Sequence, residues 1–371
     1  MRKKVKTHSK NKKLSPSLGS QDPCLSLPRA KDLLRWYDRH ARTLPWRARK
    51  GEIPDPYKVW LSEVMLQQTT VPTVQPYFLN FIRRWPTLKS LAEAKEEEVL
   101  QRWAGLGYYS RARRLSACAK MLWREQNGVF PKDEEELMRL PGIGPYTAAA
   151  IAAIAFEKKA NVVDGNVERV ISRIFSINEP LPFAKRKIKD CAEKLVPEKR
   201  CGDYAQALMD LGSEICRPKN PLCQQCPWLT SCRAEKEGLQ DALPRRERSK
   251  TKPVRKTVAF VLRDEDGKIF IRKRPSKGLL AGMMEVPSSP WMEGKALDLT
   301  EIKSFSPCPA EWEVLPGIVK HIFSHFVLEV KVMRSVTGKK IPGRWVSVRD
   351  LDREALPSVM KKIVTYAIKA L

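Results

Sequence analysis

Glu136-Leu137-Met138-Arg139-Leu140-Pro141-Gly142-Ile143-Gly144-Pro145-Tyr146-Thr147, then an Ala/Ile run, then Val162-Val163-Asp164-Gly165-Asn166, is the stretch on which the fold turns. A helical pattern stops at Pro141, two glycines allow a tight hairpin, and a second helix is expected from about Thr147. Gly142 and Gly144 let the backbone turn sharply and approach another surface without a Cβ in the way. The free N–H groups at the start of the new helix, with the positive end of its dipole, suit a phosphate. An ordinary αα-hairpin would carry the same glycines.

Upstream, from Pro28 to about Gly128, segments of helical periodicity alternate with Pro- and Gly-bearing turns. Downstream, a further helical run from Lys185 to Ile215 leads into a group of cysteines. No clear strand signal precedes residue 257. Residues 233–256 are charged, contain Pro244 and Pro253, lack apolar periodicity and read as a linker. Beyond them Val258 to Leu262 and Ile269 to Ile271 read as strands joined at Asp266-Gly267, and Val327 to Val332 alternates apolar and polar residues. Trp345 to Val348 reads as a short strand and Ser358 to Lys369 as a terminal helix. The organisation expected is a basic disordered arm (1–27), a mainly α domain (28–232), the linker (233–256) and an α+β domain (257–371).

The chain carries 69 Lys+Arg against 42 Asp+Glu, a net charge of +27. So large a positive charge favours a polyanionic partner, because each phosphate neutralised releases condensed counterions. No run of 18 or more apolar residues exists, so no membrane association is expected and nucleic acid is the favoured partner. Met1 to Lys13 is lysine-rich without an apolar core, unlike a secretory signal. Nine cysteines without such a signal point to a reducing compartment.

Four of those cysteines, Cys216, Cys223, Cys226 and Cys232, follow the spacing C-x6-C-x2-C-x5-C. Four thiolates so close in sequence can converge on one centre. Structural zinc is one reading, although such sites usually show two short C-x2-4-C pairs. One short pair with two outlying cysteines is more like a [4Fe–4S] ligand set.

The Leu-Pro-Gly-Ile-Gly hairpin, the aspartate of Val-Asp-Gly-Asn-Val about twenty residues later and this cysteine spacing together resemble the endonuclease III superfamily of DNA glycosylases. Within it, Trp60-Leu61-Ser62-Glu63-Val64-Met65-Leu66-Gln67-Gln68-Thr69 and Gly105-Leu106-Gly107-Tyr108-Tyr109-Ser110-Arg111 resemble MutY-type adenine DNA glycosylases. The resemblance implies a helix-hairpin-helix glycosylase domain with a [4Fe–4S] cluster on the four cysteines, followed by a Nudix-like domain. It implies double-stranded DNA containing adenine mispaired with 8-oxoguanine or guanine as the partner, and a monomer. The short connecting stretch lacks the extra cysteine group of animal members. A bacterial protein of the cytoplasm, at the nucleoid, is therefore expected, or a nuclear one in a eukaryote.

Glu63 lies in a segment apolar nearly all round, where a carboxylate is either salt-bridged or an acid whose pKa desolvation raises. Gln67 and Thr70, at i+4 and i+7, are expected on the same helical face. Asp164 precedes an evident helix start and reads as an N-cap, a place where the helix dipole favours the anion. Excising adenine needs an acid and an anion: by resemblance Glu63 protonates N7, Asp164 stabilises the oxocarbenium-like sugar, and Asn166 completes the group. Tyr146 stands where bifunctional members carry a lysine. A phenol forms no Schiff base, so a monofunctional enzyme is expected, with Tyr146 positioning Asp164 and the sugar.

The resemblance further assigns Leu44, Arg47 and, more loosely, Gln206 to the adenine pocket. Gln68 and Tyr108 become wedges filling the stack, with Thr69 beside them, and Arg111, Arg113 and Arg114 phosphate contacts. Phe323, Ser324 and His325 form the loop that contacts 8-oxoguanine. Residues 278–300 lack the Glu-rich metal box of Nudix hydrolases, which disfavours nucleotide hydrolysis. An endonuclease III-like lyase and a catalytically silent iron–sulfur DNA-binding protein are the remaining rivals.

Overall fold

The computed structural model describes residues 27–247, 251–294, 299–338 and 341–369. The basic arm therefore lies outside the described residues except for Leu27. The helical part comprises α1 (Ala30–His40), α2 (Pro56–Leu66), α3 (Val71–Arg84), α4 (Leu88–Ala92), α5 (Glu96–Trp103) and α6 (Ser110–Glu125). It continues through α7 (Glu134–Met138), α8 (Pro145–Phe156), α9 (Gly165–Ile174), α10 (Lys185–Glu193) and α11 (Cys201–Asp210). From Leu211 to Ile215 the backbone widens into a π-helical turn that ends at Cys216.

α8 organises this part. Gly142, at φ +82°, turns the chain after α7, and Pro145 opens α8 at a position where its missing N–H costs nothing. A Cβ at Gly142 would come within 2.8 Å of Arg114 Cβ, so the hairpin tolerates no side chain there. From Thr147 to Ala155 every residue of α8 is buried. A helix that is apolar on all sides must be surrounded, and α2, α7 and α11 pack around it. α8 thereby sets α2, which carries Glu63, against the hairpin that carries Tyr146.

α2 ends sooner than its sequence pattern suggests. Gln67 has left the helix (ψ 113°), Gln68 takes a left-handed conformation (φ 57°), and Thr70 caps α3 instead. Gln67 and Thr70 are therefore not on the helical face of Glu63. The buried Arg111 enforces this stop: its Nη1 donates to the carbonyls of Val64, Met65 and Gln67 at 2.9, 2.9 and 2.6 Å, satisfying the end of α2.

The expected linker is partly structured, with helix α12 (Arg233–Lys236) at its start. The sheet begins at β1 (Val254–Asp264) and continues with β2 (Ile269–Lys273), β3 (Met284–Glu285) and β4 (Met292–Glu293). After α13 (Leu299–Ser304) come β5 (Glu313–Val314), β6 (Val319–Ile322), β7 (Val327–Thr337), β8 (Arg344–Val346) and the closing α14 (Ser358–Lys369). β1 and β7 run parallel over their full lengths, from Val254 opposite Val327 to Asp264 opposite Thr337. The sheet order is β3-β2-β1-β7-β5, with β4 on β1, β6 on β7 and β8 on β2. β8 is shorter than the strand expected to Val348, where a 3₁₀ turn already begins.

The two parts meet across α5 and α6. Lys273 pairs with Glu97 at 2.7 Å, and Arg113 donates to the carbonyl of Ser276 at 2.8 Å. Tyr108, just before α6, hydrogen-bonds Ser324 at the tip of the β6–β7 hairpin.

Candidate active site

Glu63, buried with 5% of its surface exposed, is brought by α2 against the phenol that opens α8. Tyr146 Oη donates to Glu63 Oε2 at 2.7 Å. Burial pushes the Glu63 carboxyl up to about 7; the Tyr146 bond holds it down, the negative charge of Asp164 pushes it up and Arg47 draws it down. Burial is the dominant cause, since an ionised carboxylate loses its water there. The phenol was expected to help position Asp164 and the sugar; its hydroxyl bonds Glu63, and the charge of Asp164 is close enough to act on it as well.

Asp164 caps α9. Its Oδ1 accepts from the backbone N–H groups of Asn166 and Val167 at 2.9 and 2.7 Å, and its Oδ2 accepts from the Asn166 side-chain amide at 3.0 Å. Asn166 is held in turn by Arg169, which donates to its Oδ1 at 3.0 Å and to the carbonyls of Cys216 and Gly212 at 2.7 Å each. The anion end of the site is thus tied through two side chains to the start of the cysteine loop. Gly212 makes that approach possible: a Cβ there would lie 2.7 Å from Asn166 Cβ and 3.2 Å from its backbone carbonyl. Gly212→Ala should lower stability by about 1–3 kcal/mol, the usual cost of overpacking, and slow base release. Thermal unfolding and single-turnover kinetics check both.

Beside Glu63 a cavity is walled by Leu44, Trp46, Arg47, Leu66 and Gln206, bringing the three expected pocket residues together. Arg47 is not free in it. Its two Nη atoms clasp both carboxylate oxygens of Asp210 at 2.6 and 2.8 Å, and Arg42 Nε donates to Oδ1 of the same residue at 2.5 Å. Asp210 is completely buried. Burial works against the charge on Arg47, but the Asp210 bond, the Asp210 charge and the lesser influences of Tyr37 and Glu63 together outweigh it and raise its pKa. Sequence reading missed Asp210, whose one signal was a carboxylate inside the apolar run Ala207-Leu208-Met209-Asp210-Leu211.

The expected wedges occupy strained backbone. Gln68 and Tyr108, at φ 57° and 47°, are both exposed and both left-handed, a conformation that costs a side-chain-bearing residue free energy and persists where surroundings enforce it. Arg111 supplies the enforcement. Besides the three carbonyls of the α2 end, its Nη2 donates to Thr69 Oγ1 at 3.2 Å and to the carbonyls of Leu106 and Gly107 at 3.3 Å. Arg111 is therefore not a phosphate contact: all its reach is inward, and it pins both wedge-bearing turns. Arg113 bonds Glu96 and Ser276, whereas Arg114 lies exposed against the hairpin. Gly144 caps α8 with open space around it, and Gly142 supplies the turn.

Phe323, Ser324 and His325 form the β6–β7 turn, closed by the Phe323 N–H donating to the Phe326 carbonyl at 2.9 Å. Ser324 and His325 are exposed. Phe323 faces inward, stacked on Phe326 at 4.7 Å and packed against Trp291 and His321, so it anchors the turn rather than leading it. In the stretch 278–300 the buried carboxylate of Glu285 is taken up by Arg272 and Arg274.

The four grouped cysteines are unpaired by disulfides and line one cavity, together with Arg173. Arg173 is buried, and its Nη1 donates to Cys216 Sγ at 3.3 Å. Among the described residues no group of three His, Cys, Asp or Glu is placed to hold a single metal ion. No helix among the described residues is long and apolar enough to cross a membrane.

Residues 61–198 match the model of the HhH-GPD superfamily of base excision DNA repair proteins, and residues 258–366 match a NUDIX domain model. The adenine DNA glycosylase of Rattus norvegicus is 37% identical over 395 residues, covering 90% of this chain and 76% of the relative. That of Homo sapiens is 36% identical, covering 89% and 72%. That of Buchnera aphidicola subsp. Schizaphis graminum is 31% identical, covering 90% and 96%. A solved thermostable thymine-DNA glycosylase superposes with a TM-score of 0.50 at 30% identity, covering 56% of this chain and 95% of its own. With 37% identity to the rat enzyme over 90% of this chain and 76% of that relative, and with the HhH-GPD match, the chain belongs to the adenine DNA glycosylases of the helix-hairpin-helix superfamily.

Proposed function

We propose that the chain hydrolyses the N-glycosidic bond of adenine mispaired with 8-oxoguanine or guanine in duplex DNA, leaving the strand intact. The pairing of Glu63, raised to about 7, with the N-cap Asp164 carries this reading. Near neutral pH a large fraction of Glu63 is protonated and can deliver its proton to N7 of a flipped adenine in the cavity of Leu44, Arg47 and Gln206. Asp164, fixed by two N–H groups and Asn166, stabilises the positive charge that develops on the sugar. Glu63, then a carboxylate, activates water, and Tyr146 holds it through the cycle. Gln68, Thr69 and Tyr108 enter the stack, and the Gly142–Gly144 hairpin takes a backbone phosphate on the start of α8.

Cys216, Cys223, Cys226 and Cys232 would hold a [4Fe–4S] cluster; the donor set, four free thiols around one cavity with an arginine on Cys216 Sγ, fits it. When bound, the cluster supplies a rigid anchor for the loop after α11. Ser324 and His325 read the base opposite adenine, acting from a second domain that we take as 257–371, joined through 233–256 to a glycosylase domain of 28–232. A monomer working on the DNA of a bacterial cytoplasm completes the reading.

Single-turnover base release, developed by alkali, should be compared for adenine opposite 8-oxoguanine, guanine and thymine. Faster release opposite 8-oxoguanine than guanine, with almost none opposite thymine, supports the proposal. Equal rates opposite all three, or an efficient borohydride-trapped enzyme–DNA adduct, would overturn it.

A further inference from the structure

We propose that Lys252, at the end of the segment joining the two domains, and Arg255, at the start of β1, are positioning residues for the Phe323–Phe326 turn, and through it for the choice between 8-oxoguanine and guanine opposite adenine. This rests on the reading of Ser324 and His325 as the lesion-contacting pair.

The base of the turn is set by the β6–β7 ladder, which runs up to Ile322 opposite Val327, and by Phe323 stacked on Phe326, but its tip has less support. One backbone hydrogen bond closes it, and its two central residues are exposed. The support comes from residues 252–255, which run alongside. Lys252 Nζ donates to the carbonyl of Phe323 at 2.9 Å, on one side of Ser324-His325. On the other side the Arg255 guanidinium lies over the Phe326 ring, 4.5 Å from its centroid. Between them the Pro253 carbonyl accepts the Val327 N–H at 2.9 Å, at the point where β1 begins its parallel register with β7. The end of the connecting segment and the start of β1 thus grip both feet of the turn.

That grip bears on specificity. 8-Oxoguanine differs from guanine in the purine edge by an N7–H donor and a C8 carbonyl, where guanine has an acceptor at N7 and a C–H. Telling them apart requires a polar group held where it pairs with one and is left unpaired by the other. A hydrogen bond weakens steeply with misplacement, so the supports of an exposed turn set its discrimination. The Tyr108–Ser324 bond reaches the same turn from the helical domain. The lesion reader is therefore held from the helical domain on one side and from the interdomain segment on the other.

The test uses the full-length, cluster-loaded protein. Affinity and single-turnover rate are measured for adenine opposite 8-oxoguanine and opposite guanine, each at two salt concentrations. Lys252→Met/Arg255→Met should reduce the preference for 8-oxoguanine about tenfold, less than the full worth of one charge-assisted bond and one cation–π contact, because Lys252 is exposed, Arg255 is half-buried and only the share felt differently by the two duplexes counts. The rate from saturated enzyme should change less than about twofold. Lys252→Arg/Arg255→Lys, which keeps a donor and a cation in place, should retain the preference. Lys252→Met alone, at an exposed position, should show roughly a third of the decades lost and serves if the double variant folds poorly. Equal loss of affinity for both duplexes with a shallower salt dependence would assign the cations to phosphates and overturn the proposal; so would an unchanged preference. A wild-type protein without preference would sink the lesion reading itself, and this proposal with it.

Discussion

Glu63→Gln is expected to cut base release by about a thousandfold or more in single-turnover rate, while duplex affinity should stay within a factor of about two. Glutamine occupies the same space and can still meet Tyr146, but it delivers no proton to the purine. The pH profile carries the same signature. Wild-type rate should fall on the alkaline side with a midpoint of about 7, where Glu63 ionises. A rate constant flat between about pH 6 and pH 9 would remove Glu63 from the acid role.

The same residue makes a stability prediction of opposite sense. The folded protein raises the Glu63 carboxyl from 4.5 to about 7, so it binds that proton more tightly than the unfolded chain does. Between those values the folded state holds the extra proton, and stability falls as pH rises, levelling off above about 7. Glutamine does not titrate. At pH 8 the variant should therefore be more stable than wild type by on the order of 1–3 kcal/mol, a difference that shrinks toward pH 5. Urea unfolding at the two pH values measures it. Inactivation accompanied by greater stability marks a residue kept for chemistry against the interest of the fold.

The second large effect is expected away from the reacting atoms. Asp210→Asn would leave the buried Arg47 clasped to a neutral amide, and the half-buried Arg42 with only Glu214, at 3.9 Å, as a counter-charge. Breaking one partner of a buried pair costs about 3–5 kcal/mol, because the remaining charge stays buried. Unfolding should shift to lower denaturant accordingly. Base release should slow as well, since Arg47 lines the cavity next to Glu63. Removing the orphaned charge in Asp210→Asn/Arg47→Gln should recover part of the stability and none of the activity. If the single variant unfolds at the wild-type midpoint, the clasp contributes nothing to the fold.

Much of the chemistry was legible because its signals are local. Asp164 reads as an N-cap from the residues that follow it, and it is one, since a cap bonds N–H groups two and three residues on. The hairpin needs a left-handed turn that glycine adopts without strain, and Gly142 supplies it. The apolar surroundings of Glu63 left a salt bridge and a raised pKa both open, and in the fold burial decides for the raised pKa. Arg111 marks the opposite case. Its place after the Gly-Leu-Gly-Tyr-Tyr motif suggested a phosphate contact, but a position in a motif does not say which way a side chain points, and this guanidinium reaches inward to acceptors on two distant turns. The end of α2 escaped for the same reason, because the arginine that caps it comes from α6.

What the sequence determined by itself was the set of chemical parts: a helix-hairpin-helix, an acid in an apolar helix, a capped aspartate and four thiols in one short run. Neighbours along a chain obey fixed geometry, so such features can be read without the fold. Only the tertiary structure decided which parts touch. It set Asp210 against Arg47 across 163 residues and the Tyr108 hydroxyl against Ser324 across 216. Those pairings depend on how α8 gathers its neighbours and how the sheet docks on α5 and α6, and burial and charge in the assembled molecule give each side chain its final role.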